Sequence, residues 1–127
     1  MNSDQPEIEV TKLANFTPQA NLVELQIIDI KPGSGEIVGS GATITAHYTG
    51  ALAGDGTIFQ SSHDFGEPIT FSLTQVIKGW SDGVPGMRVG GVRRLLIPTL
   101  LAYGKNSPSP DIPANADLVF DIELISI

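Results

Sequence analysis

The sequence contains no cysteine, one tryptophan and only two histidines in 127 residues. Without cysteine there is no disulfide, no thiolate nucleophile and no thiolate metal site. That leaves the compartment open, because a domain of this size can be stable outside the cell without cross-links. Basic residues are scarce: seven Lys and Arg stand against fourteen Asp and Glu, a formal net charge of −7. An acidic chain repels phosphate backbones, so nucleic acid is not an expected partner and the charge reads as solubility. No apolar run approaches the roughly 20 residues of a membrane helix, so no membrane span is expected. Met1 to Ala20 lacks a basic stretch followed by an apolar one, so no intact signal peptide is read there. A cytoplasmic location is the default expectation, and an exported or anchored form lacking its leading segment is the alternative.

The usual groupings of catalytic side chains are missing as well. His47 falls on the polar register of its stretch and His63 in a loop-like one. Neither has a second histidine or a carboxylate at ligand spacing, so both read as solvent-facing or structural, and no metal is expected. Ser61-Ser62-His63-Asp64 offers the residue types of a hydrolase triad. Consecutive side chains point in different directions, however, and no Gly-x-Ser-x-Gly elbow is present. Gly33-Ser34-Gly35 lacks the rest of a dinucleotide fingerprint, no P-loop lysine follows a glycine run, and no cofactor is expected. Asn15-Phe16-Thr17 is a formal glycosylation sequon, relevant only in a eukaryotic secretory setting. The chain is therefore either a binding module or an enzyme whose chemistry needs no acid, nucleophile or metal.

What is present is hydrophobic alternation. Ala42, Ile44, Ala46 and Tyr48 alternate with polar residues, as do Ile69, Phe71 and Leu73. Leu118, Phe120, Ile122 and Leu124 repeat the pattern near the end. Period two predicts strands with one face on a core. Leu22–Ile30 and Val92–Ile97 are strand-like by their aliphatic content, and Gly and Pro clusters punctuate the stretches. One segment departs from period two: Ile77, Trp80 and Val84 are spaced by three and four, which predicts a short amphipathic helix ended by Pro85. The expected architecture is α+β, an antiparallel sheet with one short helix packed on one face. Residues 1–20 are polar, proline-bearing and weakly patterned, and read as a tail or extension of a domain over 21–127.

Four stretches, in order and at compatible spacing, resemble the FKBP family of peptidyl-prolyl isomerases. They are Ala46-His47-Tyr48-Thr49-Gly50; Phe59-Gln60-Ser61-Ser62; Gln75-Val76-Ile77-Lys78-Gly79-Trp80 with Gly83, Met87 and Val89-Gly90; and Ile97-Pro98 through Ala102-Tyr103-Gly104, Ile112-Pro113 and Leu118 to Leu124. The resemblance covers roughly residues 22–127 and implies a twisted antiparallel β-sheet wrapped around one short α-helix, with a pocket between helix and sheet and Trp80 as its floor. It implies Tyr48, Phe59, Gln60, Ile77, Trp80, Tyr103 and Phe120 as catalytic residues, and Ile69, Val76 and Ile112 as substrate-binding ones. It assigns the holding of substrate carbonyls to the Ile77 backbone N–H and the Tyr103 hydroxyl. The implied partners are proline-containing peptides or unfolded chains and macrolides such as tacrolimus and rapamycin, and a monomer is expected. This sequence departs from the family pattern at Gln60, where the family has aspartate, at Phe65, where it has arginine, and at Ile69, often phenylalanine. The loop Lys105 to Asp111, with Pro108 and Pro110, is expected to shape one rim differently. Two functions follow: isomerisation of X–Pro bonds, or binding of proline segments with little turnover.

Overall fold

The computed structural model describes residues 12–127. Six strands form one antiparallel sheet: β1 (Gln26–Lys31), β2 (Thr43–Leu52), β3 (Ile58–Ser61), β4 (Ile69–Ser72), β5 (Val92–Ile97) and β6 (Leu118–Ser126). Among the described residues a single α-helix, α1, spans Lys78–Gly83, and short 3-10 turns cover Ser62–Phe65 and Thr99–Leu101. The sheet runs β1-β5-β6-β2-β3, with β4 also on β2. Strand β2 is the axis. β6 pairs along one side, while β4 (Thr43 to Ala46) and β3 (Thr49 to Ala51) succeed each other along the other.

Alternation sets the two faces. Ile44, Ala46 and Tyr48 of β2, Leu95 and Ile97 of β5, and Leu118, Phe120, Ile122 and Leu124 of β6 are buried with Trp80 and Val84 of the helix segment in one core. The expected helix is confirmed but short. Its two glycines and six residues could not sustain it alone in water, so its stability comes from packing. The Ser81 hydroxyl donates to the Leu73 carbonyl at 2.6 Å, tying the helix to the end of the β4 segment. Arg93, on β5, donates to the Gly83 and Pro85 carbonyls at 2.8 and 3.2 Å and to Asp29 of β1 at 2.7 Å. It thereby satisfies carbonyls that the helix end leaves without partners.

The absence of side chains at Gly79 lets the helix lie flat on the sheet. A Cβ placed there would fall 2.5 Å from the Ile97 Cγ2 atom. No alanine fits at that separation without a shift of helix or strand.

The opposite face of the sheet is also covered. Ala51, Leu96 and Val119 are buried there beneath Leu13, Phe16, Leu22 and Ile58. The Leu13 N–H donates to the Gly56 carbonyl and the Gln19 N–H to the Ala53 carbonyl, both at 2.8 Å. Arg94 makes a bidentate pair with Asp121 (2.6 and 2.8 Å), donates to the Asn15 and Ala14 carbonyls, and sits 5.4 Å from the Phe16 ring centroid. Residues 12–20, read from the sequence within a tail or extension, are thus docked on the sheet. The earlier part of that segment lies outside the described residues. No helix among the described residues is long and apolar enough to cross a membrane.

Candidate functional site

Between α1, the adjacent strands and the loop after Tyr103 lies a cavity of about 790 Å³. Trp80 is 4 % exposed, and its ring is surrounded by aromatics. Ring centroids lie 5.0 Å away for Phe71, 5.4 Å for Phe120 and 5.6 Å for Tyr48, all edge-on. Phe59 stands edge-on to Phe120 at 5.8 Å. Edge-to-face pairs place the positive rim of one ring on the negative face of another, at about 0.5–1.5 kcal/mol each beyond area burial. Gly50 permits the closest part of this arrangement, since a Cβ there would lie 2.7 Å from Phe120 Cε1 and 2.8 Å from Phe59 Cζ.

Nine of the ten residues implied by the resemblance line this cavity: Tyr48, Phe59, Gln60, Val76, Ile77, Trp80, Tyr103, Ile112 and Phe120. Ile69 does not. It pairs with Ala46 and packs half-buried against the core. The aromatic wall expected at that position is supplied two residues further on by Phe71, which pairs with Ile44 and reaches Trp80. The alternation Ile69, Phe71, Leu73 held this signal, because all three share a face and only Phe71 has the reach. Phe65 is 58 % exposed and does not line the cavity. Gln75, Pro108, Ser109 and Asp111 also line it, and only the last three fall in or beside the loop expected to reshape a rim.

The polar groups are few and specific. Ile77 caps the helix: its carbonyl accepts from the Trp80 and Ser81 N–H groups at 3.0 and 3.2 Å. Its own N–H finds no acceptor among the described residues, which leaves a donor free at the cavity wall. Burial raises the Tyr48 hydroxyl above its ordinary value of 10.0, and the neighbouring Tyr103 adds to this. Burial alone raises Tyr103 above 10.0. Both phenols are therefore neutral hydrogen-bond donors at physiological pH.

Backbone position is fixed from behind by Ser62. Its buried hydroxyl accepts from the Tyr48 N–H at 2.8 Å, approaches the Tyr48 carbonyl at 3.3 Å and meets His47 Nδ1 at 2.8 Å. It braces the corner where β3 gives way to β4 and plays no part as a nucleophile. The two histidines, distant in sequence, stack with centroids 4.2 Å apart. Sequence spacing gave no sign of that contact. Among the described residues no group of three His, Cys, Asp or Glu side chains could hold a metal.

The family model described as FKBP-type peptidyl-prolyl cis-trans isomerase matches residues 35–125. The chain belongs to that family. It is 51 % identical over 89 residues to the peptidyl-prolyl cis-trans isomerase FPR2 of Saccharomyces cerevisiae, covering 68 % of this chain and 66 % of the relative. It is 44 % identical over 105 residues to an FK506-binding protein of Neisseria meningitidis serogroup B, covering 81 % of this chain and 95 % of the relative. The crystal structure of AtFKBP13 superposes with a TM-score of 0.72 at 41 % identity, over 80 % of this chain and 91 % of that one. The chain spans just under two thirds of the yeast relative and about a third of some longer curated relatives.

Proposed function

We propose that this domain accelerates cis–trans rotation about X–Pro bonds in unfolded or flexible chains. The observation that carries the reading is the Trp80 ring packed edge-on among three aromatic side chains, Tyr48, Phe71 and Phe120, in a cavity of about 790 Å³ whose wall carries the Ile77 N–H, without an acceptor among the described residues.

The chemistry asks for no more than such a cavity. Unaided, an X–Pro bond isomerises in about tens to hundreds of seconds. The barrier of ~18–20 kcal/mol is lost amide resonance as the C–N bond twists. No bond to carbon breaks, so no nucleophile or metal is required. A twisted amide has less charge separation than a planar one and loses less on leaving water. An apolar cavity therefore favours the twisted form over both planar ground states, which is the condition for catalysis. The proline ring packs on Trp80, and the flanking carbonyls take donors from the Ile77 N–H and the Tyr103 hydroxyl, since a buried carbonyl left unpaired costs about 1–3 kcal/mol.

Gln60 supports a second reading, a proline-segment binding module or chaperone with little turnover. Its neutral amide replaces the acidic residue of the family pattern at the cavity wall. Stopped-flow isomerisation of a Leu-Pro peptide separates the two. Acceleration at micromolar protein, falling about tenfold or more in Trp80→Leu, supports the enzyme; a tenfold loss corresponds to ~1.4 kcal/mol of barrier. Background rates overturn it. A gain of several-fold in Gln60→Asp would show that this position limits turnover. Macrolides of the tacrolimus and rapamycin type are ligands of the same cavity in this reading, tested by inhibition in that assay.

A further inference from the structure

Of the fourteen side chains lining the cavity, Asp111 alone carries a charge at neutral pH. The two phenols are held neutral by burial, Gln60 and Gln75 are amides, and the remainder are apolar or a serine. No Lys, Arg or His among the described residues lies within ion-pair distance of the Asp111 carboxylate. Lys78, on the helix, is paired instead with Asp82 at 3.4 Å.

The loop holds this charge in place. The Ser107 hydroxyl lies between the carbonyls of Ser109 and Ile112. The Ile112 N–H donates to the Ser109 carbonyl at 3.2 Å, and the Asp111 N–H donates to the Ser109 hydroxyl at 3.3 Å. Pro108 and Pro110 restrict the backbone on either side of Ser109. Ile112, next in the chain, is only 6 % exposed and anchors the loop to the core. Asp111 itself is exposed and lines the cavity, so it stands at the rim, within reach of a chain that leaves the cavity on that side.

We propose that Asp111 is a specificity-determining residue. It selects proline segments whose neighbouring residue is basic and disfavours those in which it is acidic. This rests on the isomerase reading given above. The selection is electrostatic, acting through an exposed, solvent-screened carboxylate, so it is modest and depends on salt. An exposed ion pair is worth a few-fold in binding, and the change from attraction to repulsion compounds it. Between peptides of the form X-Pro with X lysine or glutamate, kcat/KM is expected to differ by about three- to tenfold at low salt. The difference shrinks toward unity near 1 M salt, where the screening length is about 3 Å.

The test compares Lys-Pro, Leu-Pro and Glu-Pro peptides on the wild-type chain, Asp111→Asn and Asp111→Lys. Supporting results are a preference for Lys-Pro over Glu-Pro in the wild type, levelling in Asp111→Asn and reversal in Asp111→Lys, each read as the Lys-Pro to Glu-Pro ratio within one variant so that a change common to all peptides, Leu-Pro included, cancels. Glu-Pro and Lys-Pro rates that keep the same ratio in Asp111→Asn overturn the assignment. Absence of turnover with Leu-Pro overturns the isomerase reading alone. Peptide affinities read from the fluorescence of Trp80 then decide the charge preference by the same criteria, because it is the only tryptophan and lines the cavity.

Discussion

Replacing Gly79 by alanine sets two effects of known sign against each other. In an isolated helix the change is favourable by about 1 kcal/mol, since alanine loses less backbone freedom. Here the added methyl would lie 2.5, 2.6 and 2.8 Å from three carbons of the Ile97 side chain. Ordinary contact begins near 3.4 Å, so a displacement of about 1 Å is needed. Ile97 is fully buried in β5 and cannot swing aside. Overpacking of this kind costs ~1–3 kcal/mol. With contact to three atoms of an immobile side chain, the upper part of that range applies, and the net result is a loss of ~1–2 kcal/mol. Urea unfolding followed by Trp80 fluorescence measures it, and thermal unfolding should show a fall in Tm of roughly 3–5 °C per kcal/mol for a chain of this size. Ile97→Val removes one of the clashing carbons. The double variant should therefore be less destabilised than the sum of the singles, a coupling that the mutant cycle reads directly. The shift also lifts Trp80, one residue on, so isomerase activity should fall further than stability alone explains. A Gly79→Ala protein as stable as the wild type, or more so, would show that the helix does not lie on β5 at this distance.

Two further outcomes follow from the electrostatics. Both tyrosines have folded pKa values raised above 10.0, so the stability they confer is complete below that pH and is lost as pH rises through the folded values. The folded chain should show less phenolate absorbance near pH 10 than the urea-unfolded chain, which is about half ionised there; coincident titrations would refute burial of the phenols. Asp121→Asn removes the bidentate partner of Arg94, whose guanidinium is largely buried. The loss should be about 2–4 kcal/mol, with faster proteolysis between residues 14 and 20, and a change under about 0.5 kcal/mol would count against the pairing.

Sequence legibility tracked burial of one face. β2 and β6 were readable because Ile44 to Tyr48 and Leu118 to Leu124 alternate onto one core, and β5 was readable from its aliphatic content, with Leu95 and Ile97 on that core and Leu96 on the other face. The helix was readable from three positions, Ile77, Trp80 and Val84, because the period changes there. Strand β3 was not, since its four residues have no run of alternation and are defined by pairing with β2 across an irregularity at Gly50 and Ala51. Ile69 was named from its aligned position, and the cavity wall there is formed by the ring of Phe71, two residues on along the same face. The place of Asp111 at the rim depends on the hydroxyls of Ser107 and Ser109, which leave no periodic trace. Leu13 and Phe16 were unreadable as packed residues for a related reason: their partners Ala51, Leu96 and Val119 belong to three separate strands.

Covering that second face bears on where the domain can be cut. The family match begins at residue 35, beyond both the docked segment and β1. A fragment trimmed to that boundary would leave Ala51, Leu96 and Val119 open to water and strip Arg94 of two carbonyl acceptors and an aromatic neighbour. It would also bare the flank of β5 that β1 now occupies, offering unpaired backbone groups to other chains. The unit of folding is larger than the unit of family likeness, and preparations meant to stay soluble should begin no later than Lys12.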